Sequence, residues 1–210
     1  MTINDRAVIN FLEVAMARYT SLDPNKYILI RNAAIELFYK QGMDKTSIND
    51  IAKEAGIAKG TIYLYFKSRE ELLESVFIYC FDMHMKASMK ELELQKNCGN
   101  KLIKRIKNIL LWNAEHPKES TFIRLYYIPV NIAGTENVAF SKSYEVNKKL
   151  IEQGIEDGEF KSLPINFLSS IFFSSVEAIS KYVRKNPEVL TDDELLEKML
   201  NSIVDGIRLM

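Results

Sequence analysis

The stretch "DIAKEAGIAKGTIYLYF", Asp50 to Phe66, decides the reading of this chain. Two short helix-like runs meet at Gly56-Ile57, and the second run crowds Tyr63, Tyr65 and Phe66 behind Lys59-Gly60-Thr61. A helix of about nine residues, a tight glycine turn and a second short helix form the helix-turn-helix pattern. In that pattern the second helix enters the major groove of DNA and its first residues meet base edges and phosphates. Ile62 and Phe66 are four apart and form the core side of the helix. Thr61 offers a hydroxyl and a methyl group, and Gly60 lets backbone come close to a ligand. Tyrosines and Leu64 on an outer face suit phosphate contact and a base methyl. The alternative is that these aromatics only fill a helical core.

Outward from this segment the chain reads as helical throughout, because apolar residues recur at helical rather than alternating spacing. Val8, Phe11, Leu12, Ala15 and Tyr19 suggest a short amphipathic helix before residue 20. Asp23 is a candidate N-cap with Pro24 at the first helical position, and Gly42 a stop. Thr46 or Ser47 can cap the next helix, whose buried side is Ile48, Ile51, Ala52 and Ala55. Ser68 and Glu71 stand at capping-box spacing and open a long helix towards Lys96, which "KNCGN" breaks. Further helices are expected at 101–115, 117–133 and 138–157, with Pro164 opening an apolar one to Lys185. Thr191 and Glu194, again at capping-box spacing, open a last helix running to the C-terminus. Three short helices before five or six longer ones imply a small head and a larger helical body.

Composition narrows the possibilities. The 210 residues are 47% hydrophobic and 27% charged with zero formal net charge, so nucleic-acid binding must rest on a local surface. Two cysteines, Cys80 and Cys98, are too few for a disulfide framework and fit a reducing compartment. "AVINFLEVAMARY" is interrupted by Glu13 and Arg18 and lacks the apolar centre of an export signal. No stretch reaches the roughly 18–20 apolar residues of a membrane span. The expectation is a cytoplasmic protein that does not engage a membrane. No cofactor loop, metal site or nucleophile with its base is evident, so no enzyme is expected. Cys80 and His84, four apart, lack a third ligand, and packing is the better account of them. Lys86, Lys90, Lys101, Lys104 and Lys107 read as solvated helix faces.

"TSINDIAKEAGIAKGTIYLYFKSREELL", Thr46 to Leu73, resembles the DNA-binding signature of the TetR family of bacterial transcriptional regulators, and "IRNAAIELFYKQG" upstream fits that family's first helix. The resemblance covers about 45 residues at fixed spacing. It implies an all-α protein: residues 23–69 as a three-helix DNA-binding domain, with the helix-turn-helix at about 47–66, and 70–210 as a larger effector-binding and dimerisation domain. It implies DNA contacts from Thr46, Ser47, Ala58, Lys59, Gly60, Thr61, Tyr63, Leu64, Tyr65 and Lys67. Many relatives carry Ser at the place of Ala58, so a capping hydroxyl is missing here. The segment 1–22 is amphipathic rather than a basic arm, which favours an extra helix packed on the head.

The resemblance further implies a homodimer on a palindromic double-stranded operator and a small-molecule effector that releases it. "LPINFLSSIFFSSVEAISKYV" is apolar all round, with Ser170, Ser174 and Ala178 as a small-residue stripe, and the last helix adds Leu195, Met199 and Ile203. These residues form the expected dimer interface, with a monomer core as the alternative. Trp112, Phe122, Tyr126, Tyr127, Phe140 and Tyr144 are candidate walls for an apolar or amphipathic effector, although each alone also suits a core. The expected function is a transcriptional repressor. The alternatives are an activator or a helical protein-binding module without an operator.

Overall fold

The computed structural model describes residues 22–132 and 138–209, without the side chains of 127–132 and 138–142. The expected helix before residue 20 lies outside the described residues. Nine α-helices are described: α1 Pro24–Gln41, α2 Ile48–Glu54, α3 Lys59–Tyr65, α4 Arg69–Ser88, α5 Cys98–Glu115, α6 Pro117–Ile132, α7 Val138–Glu156, α8 Ile165–Lys185 and α9 Asp193–Asp205. Short 3-10 turns occupy Leu92–Leu94 and Pro187–Thr191. The fold is all-α, a helix-turn-helix head followed by a larger helical domain. Among the described residues the sole extended pairing is an isolated antiparallel bridge between Phe160 and Arg208.

The chain forms two compact units, Met1–Met83 with Pro117–Ala139, and His84–His116 with Phe140–Met210. In the first, Asp23 caps α1 by accepting from the Asn25 amide at 2.9 Å, and Pro24 starts the helix. The inward face of α1 carries Ile30, Ala33, Ala34, Ile35 and Phe38, while Ile28 stays exposed. Ser47, not Thr46, caps α2. Its hydroxyl accepts from the Asp50 amide and its own amide donates to the Asp50 carboxylate. Gly56 follows at φ +67°, the left-handed conformation that turns the chain from α2 into α3. Phe122 of α6 packs on Phe38 with ring centroids 5.3 Å apart, and Lys118 pairs with Glu36, so α6 completes this unit's interior.

In the second unit, α5 lays Leu102, Ile106 and Leu110 against Phe172, Ile179 and Val183 of α8 and Leu196, Leu200 and Val204 of α9. Four boundaries differ from the sequence reading. The helix expected to reach Lys96 ends at Ser88, and Glu91 takes a left-handed conformation at φ 62° before a single 3-10 turn. The breaker "KNCGN" is instead the start of α5, with Asn97 capping the Asn100 amide at 2.8 Å. Asp192 caps α9 in place of Thr191, whose hydroxyl donates back to Glu188 within the preceding turn. Past Asp205 the chain is no longer helical. The Leu209 amide donates to the Glu159 carbonyl and the Lys161 amide to that of Ile207, pinning the end of the chain to the loop after α7.

Candidate nucleic-acid interface

Helix α3 has two faces, and the residues divide sharply between them. Ile62, Tyr65 and Phe66 are at most 2% exposed, whereas Tyr63 is 48% and Leu64 64% exposed. Lys59 and Tyr63, one turn apart on α3, are both exposed with Gly60 and Leu64 beside them, and Lys67 is exposed just past the end of the helix. Neither Lys59 nor Lys67 has a carboxylate partner among the described residues, so both charges are available to an outside anion. Ala58 is the N-cap of α3 and supplies no side-chain hydrogen bond, as its missing hydroxyl requires.

Gly60 is exposed on this face, in the first turn of α3. A glycine inside a helix costs about 1 kcal/mol relative to alanine. Among the described residues nothing requires it: its φ is not positive, and a Cβ there would meet nothing within 4 Å.

Two expected contact residues are turned inward. Tyr65 is 2% exposed and its hydroxyl donates to the Asp23 carbonyl at 2.8 Å, while burial and the nearby Asp23 carboxylate push its phenol up. Tyr63 and Tyr65 stand about 200° apart on a helix, so only one of them can face outward. Thr46 is also 2% exposed, with its hydroxyl donating to the Gly42 carbonyl at 2.8 Å. Ser47 is exposed, although its hydroxyl already bonds Asp50, and Thr61 is half-buried. One supporting residue escaped the sequence reading. Arg69, at the start of α4, donates to the carbonyls of Met43 and Thr46 and so fixes the loop that leads into α2. Its only sequence signal is its place beside the Ser68 cap.

The expected effector residues fall in both compact units. In the first, Tyr126 stacks on Phe77 at 4.7 Å and on Phe122 at 6.0 Å, its phenol pushed up first by burial. In the second, Trp112 is buried between His84, edge-on at 5.1 Å, and His116 at 5.0 Å, and Tyr144 is half-buried. The side chains of Tyr127 and Phe140 lie outside the described residues. The Cys80 thiol is buried and pushed up to about 12, which suits packing. Among the described residues no three His, Cys, Asp or Glu side chains gather as metal ligands. No helix among them is long and apolar enough to cross a membrane.

None of the expected dimer residues is buried. Ser170, Ser174 and Ala178 are exposed on α8, flanked by Phe167, Ile171 and Tyr182 at 55%, 40% and 50% exposure. Leu195 of α9 is 41% exposed, with Met199 and Ile203 half-buried along the same helix. Leu168, Phe172, Ile179 and Val183 occupy the inner side of α8. That division explains why α8 reads as apolar all round.

Comparison with known proteins agrees with the geometry. Residues 30–76 match the family "Bacterial regulatory proteins, tetR family". The fatty acid metabolism regulator protein of Bacillus subtilis (strain 168) is 25% identical over 185 residues, covering 85% of this chain and 95% of that one. A tetR-family transcription regulator of Shewanella sp. PV-4 superposes with a TM-score of 0.77 at 24% identity, over 88% of this chain and 99% of its own. The transcriptional regulator FadR of Bacillus subtilis, solved in complex with stearoyl-CoA, superposes with a TM-score of 0.70 at 22% identity, over 85% and 96%.

Proposed function

The chain belongs to the TetR family of bacterial transcriptional regulators, and on that premise we propose that it is a cytoplasmic repressor that leaves its operator when an amphipathic small molecule binds the larger domain. The observation that carries the DNA reading is the outer face of α3. There, unpaired Lys59 and Lys67, an exposed Tyr63 and Leu64, and a glycine with no internal purpose line one edge. On DNA the lysines and the Tyr63 hydroxyl engage phosphates, Gly60 lets the backbone approach, and Leu64 covers a thymine methyl. Tyr65 and Thr46 hold the head together from within.

The exposed apolar and small residues of α8, with Leu195 exposed on α9, support a homodimer in which two copies pair through Ser170, Ser174, Ala178, Leu195, Met199 and Ile203. A dimer places two reading helices about 34–36 Å apart, matching the half-sites of a palindrome. An effector that favours a different spacing of the heads lowers operator affinity by shifting the population between the two states. The stearoyl-CoA bound by the Bacillus subtilis FadR makes a fatty-acyl compound the first effector class to try.

The test is titration of the purified protein with DNA from its own upstream region at two salt concentrations, beside Lys59→Ala. Tight binding weakened by both salt and the substitution is expected. Equal binding by Lys59→Ala would remove the proposed interface. Loss of binding on addition of acyl compounds is the expected sign of release.

A further inference from the structure

Arg105 on α5 is 2% exposed. A guanidinium taken from water is costly unless an anion neutralises it, and a chain needing only bulk there would be better served by methionine or leucine. Every partner of Arg105 among the described residues is neutral. Nη1 donates to Oδ1 of Asn147 at 2.5 Å, Nη2 donates to Oγ of Ser143 at 2.9 Å, and Nη2 touches Sδ of Met85 at 3.7 Å. Nε has no acceptor among the described residues, and no described carboxylate forms an ion pair with the group. Nor does His84 supply a compensating charge: burial first, and the Arg105 charge second, push it down to about 4, so it stays neutral. All of these residues belong to the same compact unit.

Beyond its two polar partners, the guanidinium meets the Met85 side chain. Trp112 lies two turns further along α5, buried and edge-on to His84, and Met85 covers the guanidinium from α4. Asn147 and Ser143, a turn apart on α7, hold the fork in place without neutralising it. A fixed fork with a free Nε–H is arranged to take an oxyanion, and Arg is the side chain best matched to that geometry.

We propose that Arg105 anchors the anionic oxygens of the effector, a carboxylate or phosphate carried on an apolar chain, whose body lies against Met85 and Trp112. This rests on the reading that the larger domain holds an effector. The anion takes Nε–H and the Nη2 position now filled by the weak sulfur contact, turning a sealed uncompensated charge into a pair. Binding thereby tightens the packing of α5 against α7 and couples occupancy to the stability of the unit.

The experiment titrates the full-length protein with dodecanoate, dodecanoyl-CoA and dodecanol, reading the emission of Trp112, the sole tryptophan, and the melting temperature. Either anionic probe is expected to bind roughly tenfold or more tightly than the alcohol, the scale of a charge-assisted hydrogen bond. The tighter of the two identifies the source of the oxyanion. Arg105→Gln should bring the anionic probe down to the alcohol's affinity. Asn147→Asp, which supplies a permanent carboxylate, should raise the melting temperature of the free protein and abolish the preference for anions. The gain in stability separates that result from misfolding. Equal binding of acid and alcohol by the native chain overturns the anchor and leaves the effector reading standing, as does a preference that survives both substitutions. Binding of no probe overturns both. A clear preference for anions with no loss of operator binding keeps the anchor and overturns release.

Discussion

The hydroxyl of Tyr65 donates to the backbone carbonyl of Asp23 at 2.8 Å, across 42 residues of chain. This ties the last turn of α3 to the N-cap of α1 and leaves Tyr63 outside. The two tyrosines thus carry opposite predictions. Tyr65→Phe should lower stability by about 1 kcal/mol and leave the operator affinity of the folded protein unchanged. Tyr63→Phe should leave the melting temperature alone and weaken operator binding several-fold. Thermal denaturation paired with DNA titration checks both, and a shared loss of stability would refute the division of faces.

Salt dependence tests the two lysines. Each phosphate contact removed should reduce the slope of log affinity against log salt by about one, for Lys59→Ala and Lys67→Ala separately. An unchanged slope would place that lysine away from the backbone of DNA.

The His84 imidazole carries a pH prediction. Its folded value is pushed down from 6.5 to about 4, chiefly by burial, so the unfolded chain takes up the proton first. Stability is therefore full above 6.5 and falls as the pH drops from 6.5 towards 4, by up to roughly 3 kcal/mol. Denaturant melts at a series of pH values should show this slope, and His84→Gln should flatten it.

Gly154 faces the ring of Phe160 so closely that a Cβ would lie 2.2 Å from Cδ2. Gly154→Ala should cost about 2 kcal/mol through this overlap. In a Phe160→Ala background the same substitution should cost almost nothing, because the clash is gone. Additive losses would mean that the glycine is needed for some other reason.

Ser174→Glu places a carboxylate in the exposed strip of α8, where a twofold axis would bring it near its own copy. Sedimentation should show a shift from dimer to monomer, with the helical content preserved and operator affinity reduced. A dimer that tolerates the glutamate would move the interface elsewhere.

Much of the head was legible in the sequence because its signals are local: Asp23 before Pro24, Ser47 before Asp50, and Gly56 at a turn that needs positive φ. The inward turn of Tyr65 was missed, although residues two apart on a helix point in opposite directions and Tyr63 already claimed the outer face. Phe66 was placed on the core side and is buried there, although it stands beyond α3 in extended conformation. The start of α5 was hidden by Gly99, which reads as a breaker. Its amide donates to Glu159, and a Cβ there would lie 2.5 Å from the Glu159 carboxylate, so the glycine answers to a contact 60 residues away. Arg105 gave no signal, because a single arginine in an amphipathic helix reads as surface until the neighbouring helices are in place.

The packing of Phe122 and Lys118 from α6 on Phe38 and Glu36 of α1 bears on modularity. A transplant of the reading head onto a foreign sensor, cut after residue 69, would leave Phe38 without its aromatic cover and Glu36 without one of its cations. The transferable part is a discontinuous one, two stretches of chain separated by more than thirty residues. Chimeric sensors built from this protein should carry α6 along with the helix-turn-helix. Substitutions on the inner side of α6 belong to the upkeep of the reading head, however far along the chain they fall.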